Sequence, residues 1–586
     1  MKPSKMIPHP PNTTVRFPNP DQIVLAGRLS ARSLGNQSYL KHIYETKKDW
    51  MLEPFRNRGQ EWVLEPLRDK KGELAWAGEY AGKWLDAASL VAAGSKDEAL
   101  LGYVAEFAAA LVACQESDGY LGIEIPAKRG IGWDVWNNWN AMLGLITHYE
   151  NFKFEASLKA AVKCGKWVIN RFGMISDTNH HFFSNAHDLV CNGPIVQEFA
   201  RLYRITQERI FLDFATSVVH HYLPMDKVQN EGKAPMVHVY HLAEFLAGAV
   251  DLAVLDYSAD ELHGIESAWQ DLVERHLYPT GSLGFREQLR EIAPNDIPVE
   301  NGQPDKHHQE ACATTAWLLL NSRLFQATGK VRYVHIMEQT IYNALLAAQS
   351  SDGYQWMYYT PLRYEKRWFS GPTSCCYWSG PRGIARIPEW IYALDGDGIL
   401  VNLYESSTGI FHINGNVISI EQSSAYPDRG QVILRLAPES PISFPLRLRD
   451  PVPGEKMQIT LNGKNITTDL DLHGYLSIHR KWYMGDQVRL KFDIPVAVHN
   501  FLNDKYGVVT HGPEVLAVDQ RDNSNLDLDR LMILRGMAIR GADPVDGRRR
   551  YVSEGVMNGH LTQVYFTPYA DAGGDQARFR TAFPIG

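Results

Sequence analysis

Hydrophobic positions between about residues 75 and 395 recur at spacings of three and four residues, the period of an amphipathic helix. An Asp-Gly turn, in "CQESDGYLG" (114–122) and again in "AQSSDGYQW" (348–356), follows two of these segments and is typical of a helix end. Because the segments follow one another with short connections, they favour a helical array or a closed toroid. The ten segments span residues 82–94, 99–115, 139–152, 160–172, 194–206, 211–223, 236–255, 261–277, 310–329 and 331–348.

The period changes to two near "YALDGDGI" (392–399). Short alternating segments such as "NVISIEQ", "QVILRLA" and "QVRLKFDIP" are separated by turns such as "NGK" and "MGD", which predicts an all-β module of one or two sandwiches. We therefore expect a multidomain α plus β chain. Its expected parts are a segment that packs on the helical or β part, a helical catalytic domain, a β-sandwich and a second β module, at 1–74, 75–395, 396–500 and 501–586.

Composition and charge narrow the possible partners. The chain has 586 residues, a formal net charge of −8 and no long basic block, so neither nucleic acid nor an anionic membrane is an expected partner. The N-terminal "MKPSKMIPHPPNTTVRFPNP" lacks the apolar stretch of a secretory signal, and a cytoplasmic location is expected unless a signal has already been removed. Fifteen Trp and 27 Tyr residues fit large aromatic cores or, alternatively, stacking platforms for sugars.

Three of the six cysteines lie in an unusual arrangement. Cys375 and Cys376 are adjacent just before a helical pattern, and Cys312 lies two residues after Glu310 at another helix start. A disulfide between adjacent cysteines is strained, whereas one metal ion can join neighbouring thiolates. Glu310, Cys312, Cys375 and Cys376 would then form a tetrahedral zinc set. The alternative is that the cysteines are reduced and buried, since the usual CxxC spacing is absent.

The Glu-x-Cys element, the cysteine doublet and several further segments resemble glycoside hydrolase family 127, whose best-known activity is that of a β-L-arabinofuranosidase. The resemblance implies an (α/α)6 barrel catalytic domain followed by C-terminal β-sandwich domains, a Zn2+ ion on the four residues above, and a carbohydrate substrate. It also suggests a homodimer formed through the β modules. The segments are "GEYAGKWLDAA" (78–88), "QESDGYLG" (115–122), "LYRITQERIFLDFA" (202–215), "YNALLAAQSSDGYQWMYYTPL" (342–362) and "CCYWSGPRGIARIPEWIYA" (375–393).

The resemblance assigns catalytic roles as well. By its position in the doublet, Cys375 corresponds to the family's nucleophile. Zinc would keep its thiol deprotonated, and the thiolate would form a thioglycosyl intermediate in a retaining reaction. The family's acid/base glutamate corresponds best to Glu287 in "TGSLGFREQLREIA" (280–293), with Glu291 as the second choice. The alternative for Glu287 is a solvated loop carboxylate, because the phenylalanine of the family pattern is missing here.

Four residues, His238, Tyr358, Asn140 and Trp136, are implied to bind the sugar. His238 corresponds to a family histidine that faces the sugar, and Tyr358 to an aromatic position of the pocket. Asn140 stands where the family has a histidine and His241 where it has an arginine, while Trp136 lies in the aromatic stretch "WDVWNNWN". These two replacements, together with the departure from the family pattern at Gln288, raise the alternative of a sugar other than plain L-arabinofuranose.

Three functions stay open on the sequence alone. The first is a retaining glycosidase with a zinc-bound thiolate nucleophile, releasing L-arabinofuranose or a related sugar from plant-type glycans. The second is a helical-toroid enzyme with structural zinc and paired carboxylates, for which Asp134 and Asp188 are candidates. The third is a non-catalytic glycan-binding protein with structural zinc. Replacing Cys375 by serine separates the first function from the others, because only there does turnover depend on that thiol.

Overall fold

The chain folds into a helical part followed by two β-rich parts. The computed structural model describes residues 15–58, 75–179, 181–183, 191–221, 227–256, 258–289, 299–300, 303–304, 307–366, 368–369, 373–396, 398–502 and 504–585. None of the helices in these ranges has both the length and the apolar composition that crossing a bilayer requires.

Helices account for most of the chain before Tyr392, in agreement with the three-to-four period of its apolar positions. A π-helical turn, Ile341–Leu345, joins two of them directly. The helices are α1 (Arg28–Arg56), α2 (Glu79–Ser95), α3 (Glu98–Ala113), α4 (Asp134–Phe152), α5 (Glu155–Phe172), α6 (Val196–Thr206), α7 (Arg209–His221), α8 (Val239–Leu255), α9 (Ala259–Arg275), α10 (Ala311–Thr328), α11 (Val331–Thr340), α12 (Leu346–Ala348), α13 (Cys376–Ala385) and α14 (Ile387–Trp390).

Six of the described helices form a closed inner ring. In chain order α2, α4, α6, α8, α10 and α13 each pack against the next, and α13 packs back against α2. Most residues of α2, α8 and α10 are buried on every face of the helix, as expected for helices with neighbours on all sides. Outer helices such as α5 and α9 bury one face, as expected for helices with neighbours on one side. The predicted (α/α)6 barrel is confirmed.

Glycines allow two inner helices to approach closely. A Cβ atom at Gly82 of α2 would lie 1.8 Å from the carbonyl oxygen of Asn140 in α4, and one at Gly144 would lie 2.6 Å from the carbonyl oxygen of Gly82. Neither position has space for a side chain. This backbone-to-backbone contact therefore fixes where α2 lies in the ring.

Strands dominate after Tyr392, where the period of the sequence changes to two. The strands are β1 (Ile23–Leu25), β2 (Val299–Glu300), β3 (Gln303–Pro304), β4 (Trp356–Met357), β5 (Arg363–Tyr364), β6 (Trp368–Phe369), β7 (Tyr392–Asp395), β8 (Gly398–Val401), β9 (Ser407–Ile413), β10 (Asn416–Ser424), β11 (Gln431–Pro438), β12 (Ile442–Arg449), β13 (Gln458–Leu461), β14 (Lys464–Ile466), β15 (Tyr475–Trp482), β16 (Asp486–Lys491), β17 (Val496–Phe501), β18 (Tyr506–His511), β19 (Glu514–Asp519), β20 (Met532–Ile533), β21 (Arg540–Val545), β22 (Arg548–Met557), β23 (His560–Pro568), β24 (Phe579–Arg580) and β25 (Ala582–Pro584).

The middle part is a β-sandwich. Its larger sheet has the strand order β1-β9-β10-β11-β16-β13-β14 and its smaller sheet the order β15-β12-β8-β7. Alternate residues of β9 and β11 are buried, and Phe411 and Leu434 of the larger sheet share a core with Phe444 and Leu446 of the smaller one. The predicted C-terminal β-sandwich is thus present, with β1 from the start of the chain added at its edge.

The C-terminal part is a single branched sheet that reaches back to the helical part. Its main path is β17-β18-β19-β23-β22-β20, and β24 pairs with both β19 and β5, the latter from the loop before α13. At the other end of the chain, α1 lies within the segment 1–74 that was expected to precede the helical domain, and it packs against α2, α3 and α13. The expected domain limits at 75, 396 and 501 stay predictions.

Candidate metal centre and active site

Two neighbouring inner helices begin at the same place in the ring. Glu310 is the residue before α10, and Cys312 is the second residue of that helix. Cys375 is the residue before α13, and Cys376 begins it. Because α10 packs against α13, the two helix starts bring the Glu-x-Cys element and the cysteine doublet together across a long stretch of sequence.

Local hydrogen bonds fix the start of α10. Gln309 has a left-handed φ of 56°, a conformation that few residues other than glycine adopt. Its side chain accepts a hydrogen bond from Thr280 Oγ1 (2.5 Å) and donates one to the carbonyl oxygen of Thr360 (3.0 Å). The backbone N–H of Ala311 donates to the carbonyl oxygen of Tyr358 (2.9 Å). These contacts hold Glu310 beside the segment that carries Tyr358.

Four potential metal ligands converge at the two helix starts. One atom from each of Glu310, Cys312, Cys375 and Cys376 lies within 4.8 Å of the others. The sulfur of Cys312 is 3.4 Å from that of Cys376, and Glu310 Oε1 is 3.4 Å from Cys375 Sγ and 3.5 Å from Cys376 Sγ. Cys375 is partly exposed and the other three are buried. This is the set of residues that the sequence predicts.

The four groups are acids that oppose one another's ionisation. Burial raises the pKa of Glu310. Hydrogen bonding with Cys312 raises the pKa of Cys375, and burial raises that of Cys376. Burial also acts against the Cys312 thiolate, but hydrogen bonds from Cys375 and Cys376 lower its pKa to about 7. A cation among the four groups would remove this opposition, since it favours every deprotonated form.

A tyrosine hydroxyl links the cluster to Glu287. Tyr358 Oη donates to Glu287 Oε1 at 2.6 Å and lies 3.8 Å from Cys375 Sγ, while Tyr359 Oη donates to the same carboxylate oxygen at 2.9 Å. Glu287 lies on a tight turn with φ of 69°, following Arg286 with φ of 47°. The turn is fixed by a hydrogen bond from the N–H of Val239 to the Glu287 carbonyl oxygen (2.9 Å).

His238 lies beside Glu310. Its Nε2 is 3.9 Å from Glu310 Oε2, and its ring centroid is 4.4 Å from that of His241. Burial lowers the pKa of His238 to about 4, so its imidazole is neutral near pH 7. A neutral imidazole can donate one hydrogen bond and accept another, which suits contact with sugar hydroxyls.

Comparison with known protein families identifies this arrangement. Residues 30–389 match the catalytic domain of glycoside hydrolase family 127, described as beta-L-arabinofuranosidase, and residues 398–494 match the middle domain of the same family. The chain belongs to glycoside hydrolase family 127. The first match alone covers more than half of the chain, and the resemblance seen in the sequence is confirmed.

Individual relatives of family 127 share the fold at low sequence identity. A non-reducing end beta-L-arabinofuranosidase from Bifidobacterium longum is 26% identical over 310 residues, which are 47% of this chain and 44% of that protein. The match therefore spans less than half of that relative. BT3674, a GH127 beta-arabinofuranosidase, has a TM-score of 0.83 at 20% identity over 98% of both chains. A GH127 beta-L-arabinofuranosidase from Geobacillus stearothermophilus T6 has a TM-score of 0.82 at 18% identity, over 96% of this chain and 100% of that one.

Two of the predicted sugar-binding residues lie deeper in this family 127 site than the others. Trp136 is 1% exposed and Asn140 is fully buried. Trp136 Nε1 donates to Glu79 Oε2 at 2.7 Å, and its ring meets that of His241 edge-on at 4.5 Å. Asn140 donates to the Trp136 carbonyl oxygen at 2.9 Å. Trp136 thus packs against His241, whereas Asn140 bonds within its own helix, and direct contact of either residue with a sugar stays a prediction.

Of the two carboxylates proposed for the paired-carboxylate alternative, Asp134 lies within the described residues. Asp134 is buried, and it accepts hydrogen bonds from Tyr120 Oη (2.5 Å) and from the N–H of Gly130 (2.7 Å). Burial raises its pKa to about 6. Asp188, its proposed partner, and Glu291, the second choice for the acid/base, both lie outside the described residues.

Sequence reasoning missed Glu79 and Lys83, which lie on α2 beside the predicted site residue Trp136. Lys83 Nζ is 2.9 Å from Glu79 Oε2, and the two side chains are 0% and 2% exposed. The sequence contains one indication that this pair is buried. A Glu–Lys pair at i and i+4 is ordinarily a solvated helix face, but in "GEYAGKWLDAASLVAAG" it interrupts a segment that is apolar in almost every direction.

Proposed function

We propose that the protein is a retaining glycoside hydrolase in which Cys375 is the nucleophile and Glu287 the acid/base. The observation that carries the proposal is the position of the Tyr358 hydroxyl, 2.6 Å from Glu287 Oε1 and 3.8 Å from Cys375 Sγ. A carboxyl group and a sulfur are thus held next to one phenol oxygen. The two groups therefore lie close together, as a retaining mechanism requires, since retaining glycosidases hold their two reacting carboxyl groups roughly 5–5.5 Å apart.

Glu310, Cys312, Cys375 and Cys376 are the proposed zinc ligands. Three sulfurs and one carboxylate oxygen are donors that zinc prefers, and they are close enough to share one ion. Glu310 Oε2 is buried and, among the described residues, has no hydrogen-bond partner, which fits a group that completes its bonding with a metal. A bound zinc ion would hold the Cys375 thiol in its deprotonated, nucleophilic form near neutral pH.

In the proposed first step, the sulfur of Cys375 attacks the anomeric carbon. A carbon–sulfur bond forms as the bond to the leaving oxygen breaks, and the carboxyl group of Glu287 gives its proton to that oxygen. Tyr358 and Tyr359 donate to Oε1 of Glu287, which leaves Oε2 to carry and deliver the proton. The two tyrosines therefore orient the acid toward the leaving group.

In the proposed second step, Glu287 acts as a base. Its carboxylate takes a proton from a water molecule whose oxygen attacks the same carbon, and the electron pair of the carbon–sulfur bond returns to Cys375. Two successive inversions at one carbon give overall retention. His238, neutral because burial lowers its pKa to about 4, contributes hydrogen bonds to hydroxyls rather than a proton.

L-Arabinofuranose, or a related sugar of plant-type glycans, is the proposed product. Its support is the description of the matching family and the activity of the Bifidobacterium longum relative. Paired carboxylates have less support, because both oxygens of Asp134 are engaged by Tyr120 and Gly130. A non-catalytic binding protein would not require Glu287 to be linked to Cys375 through Tyr358.

The test of the proposal combines metal analysis with a Cys375→Ser variant. We expect about one zinc ion per wild-type chain by native mass spectrometry, consistent with a single four-ligand site. We also expect hydrolysis of an aryl β-L-arabinofuranoside with retention, followed by NMR. Cys375→Ser should lose at least about a thousandfold in kcat, because the hydroxyl of serine is a far weaker nucleophile than a thiolate.

Cys164→Ser is the matched control. Cys164 is buried in α5, where its thiol donates to Asn138 Oδ1 at 3.3 Å, so its replacement tests the loss of a buried sulfur outside the cluster. It should keep the zinc and the turnover of the wild type. Full activity of Cys375→Ser would refute the nucleophile assignment, and a wild-type chain free of zinc would refute the proposed ligand set.

A further inference from the structure

The buried ion pair between Glu79 and Lys83 has no part in the mechanism above. Lys83 is fully buried, its Nζ is 2.9 Å from Glu79 Oε2, and it lies 4.9 Å from the centroid of the Tyr240 ring and 5.6 Å from that of the Trp136 ring. Glu79 Oε2 also accepts a hydrogen bond from Trp136 Nε1 at 2.7 Å. The ammonium group is thus enclosed by one carboxylate and two aromatic faces.

The pair lies next to the cysteine cluster. It is in the first two turns of α2, the helix that closes the inner ring against α13. Burial acts against the Lys83 ammonium group, but the carboxylate of Glu79 and, to a smaller extent, the sulfur atoms of Cys312 and Cys375 raise its pKa. Between the two residues of the pair, Tyr80 donates to the carbonyl oxygen of Thr373 at 3.1 Å, in the segment that leads into Cys375.

Stability alone does not account for a charged pair at this position. Removing two charges from water costs as much free energy as their attraction returns, and a well-packed apolar pair of the same size is often equally stable. The aromatic and apolar surroundings of α2 would accept such a pair. A buried lysine beside a group of anionic ligands is better explained by the charge of those ligands.

Lys83 and the four ligands have complementary charges. Three thiolates and a carboxylate carry more negative charge than one divalent cation neutralises, so the loaded site keeps a net negative charge in a buried environment. An uncompensated buried charge is costly, and a cation held nearby offsets that cost. Glu79, in turn, holds the ammonium group in place from the side of Trp136.

We propose that Lys83 is a positioning residue that balances the charge of the metal-loaded Glu310, Cys312, Cys375 and Cys376 set, and that Glu79 holds it there. The inference rests on the proposed function, since it requires the four residues to bind a divalent cation. It predicts different consequences for the two residues of the pair. Removal of the positive charge weakens metal binding, whereas removal of the negative charge next to it does not.

The experiment measures transfer of zinc from the purified, zinc-loaded full-length protein to a chromogenic chelator. Lys83→Met should release zinc faster than the wild type by about tenfold or more, the scale of a charge–charge interaction in a protein interior. Lys83→Arg should restore slow release, because it restores the charge. Glu79→Gln should release zinc no faster than the wild type. The ratio kcat/KM should follow the same order of variants.

Arg449→Met is the control for breaking a buried ion pair elsewhere. Arg449 pairs with Glu338 of α11, and both are buried. Its replacement should lower the unfolding temperature without changing zinc release.

Equal acceleration of zinc release by Lys83→Met and Glu79→Gln would indicate a structural role and overturn the inference, as would a Lys83→Met variant that releases zinc at the wild-type rate. Either result would leave the proposed function standing, provided that the wild type carries zinc and hydrolyses the furanoside. A wild type without zinc would instead refute the ligand set on which both proposals depend.

Discussion

At the scale of single residues, Tyr358 is the side chain that joins the two proposed reacting groups. Its hydroxyl donates to Glu287 and also lies beside Cys375 Sγ. We expect Tyr358→Phe to lower kcat by roughly 10- to 100-fold, because a hydrogen bond to a charged group contributes about 1.5–3 kcal/mol and each 1.36 kcal/mol of barrier is about tenfold in rate. The change should fall on kcat more than on KM, measured with an aryl furanoside.

Tyr359→Phe is the matched comparison at this scale. Tyr359 donates to the same oxygen of Glu287 at 2.9 Å, so its loss tests the contact with the acid/base without the contact with the nucleophile. We expect the smaller decrease in kcat for this variant. Equal effects of the two variants would mean that the position of the Tyr358 hydroxyl beside Cys375 adds nothing to the reaction.

At the scale of elements, the contact between α2 and α4 determines where Lys83 lies. Gly82→Ala should destabilise the protein by about 1–3 kcal/mol, the usual cost of overpacking, because its Cβ would lie 1.8 Å from the carbonyl oxygen of Asn140. Gly102→Ala, in α3, should instead stabilise the protein by about 0.5–1 kcal/mol, since no atom lies within 4 Å of the added Cβ. Denaturant unfolding of the two variants measures both effects, and a neutral Gly82→Ala would show that the two helices can separate at little cost.

The elements also show how far the sequence predicts the fold. Inner helices such as α8 and α10 were predictable because their apolar positions are continuous. Helix α1 was not predicted, because its sequence, "RLSARSLGNQSYLKHIYETKKDWMLEPFR", is rich in charged residues and contains Pro54, which obscures the apolar positions of its buried face. Strands β9 and β11 follow the alternation that the sequence shows, whereas the addition of β1 to their sheet depends on a pairing across almost 400 residues that no local pattern encodes.

The residues of the candidate site also differ in how far the sequence predicts them. Residue chemistry placed Glu310 and the three cysteines in one set, because thiolates and a carboxylate near helix starts suit a metal. The link from Glu287 through Tyr358 to Cys375 could not be derived from spacing, since it depends on a left-handed turn at Glu287 and on the packing of α10 against α13. The role of Lys83 was hidden for another reason. The sequence alone does not show whether a Glu–Lys pair on a helix is buried or solvated.

At the scale of the whole molecule, Glu514 ties the C-terminal sheet to the helical part. The carboxylate of this fully buried residue of β19 accepts hydrogen bonds from Arg28 of α1 and Arg549 of β22. Nearby, Asn343 in the π-helical turn accepts from the N–H of Val515 and donates to the carbonyl oxygen of Pro513, both at 2.7 Å. Helix α1 and the C-terminal sheet are therefore joined by one cluster of charges around the buried Glu514 carboxylate.

Neutralising Glu514 should loosen this connection. Glu514→Gln should lower the free energy of unfolding by about 3 kcal/mol, near the lower end for breaking a buried pair because both arginines are partly exposed. Calorimetry measures this as a lower unfolding temperature. Glu421→Gln is the control, since Glu421 pairs with Arg435 on the surface, and its effect should stay within about 0.5 kcal/mol.

The pH dependence of the Glu514→Gln effect tests whether charge is its cause. Burial acts against the Glu514 carboxylate, but Arg28 and Arg549 hold its pKa below the usual value. A carboxyl group with a lowered pKa in the folded state stabilises the protein above its unfolded pKa of about 4.3 and loses that contribution as the pH falls through the folded pKa. The difference in unfolding temperature between wild type and Glu514→Gln should therefore be largest near neutral pH and shrink below about pH 4. A difference that stayed constant down to pH 3 would assign the effect to packing around β19, and the C-terminal sheet would then be held to the barrel by shape rather than by charge.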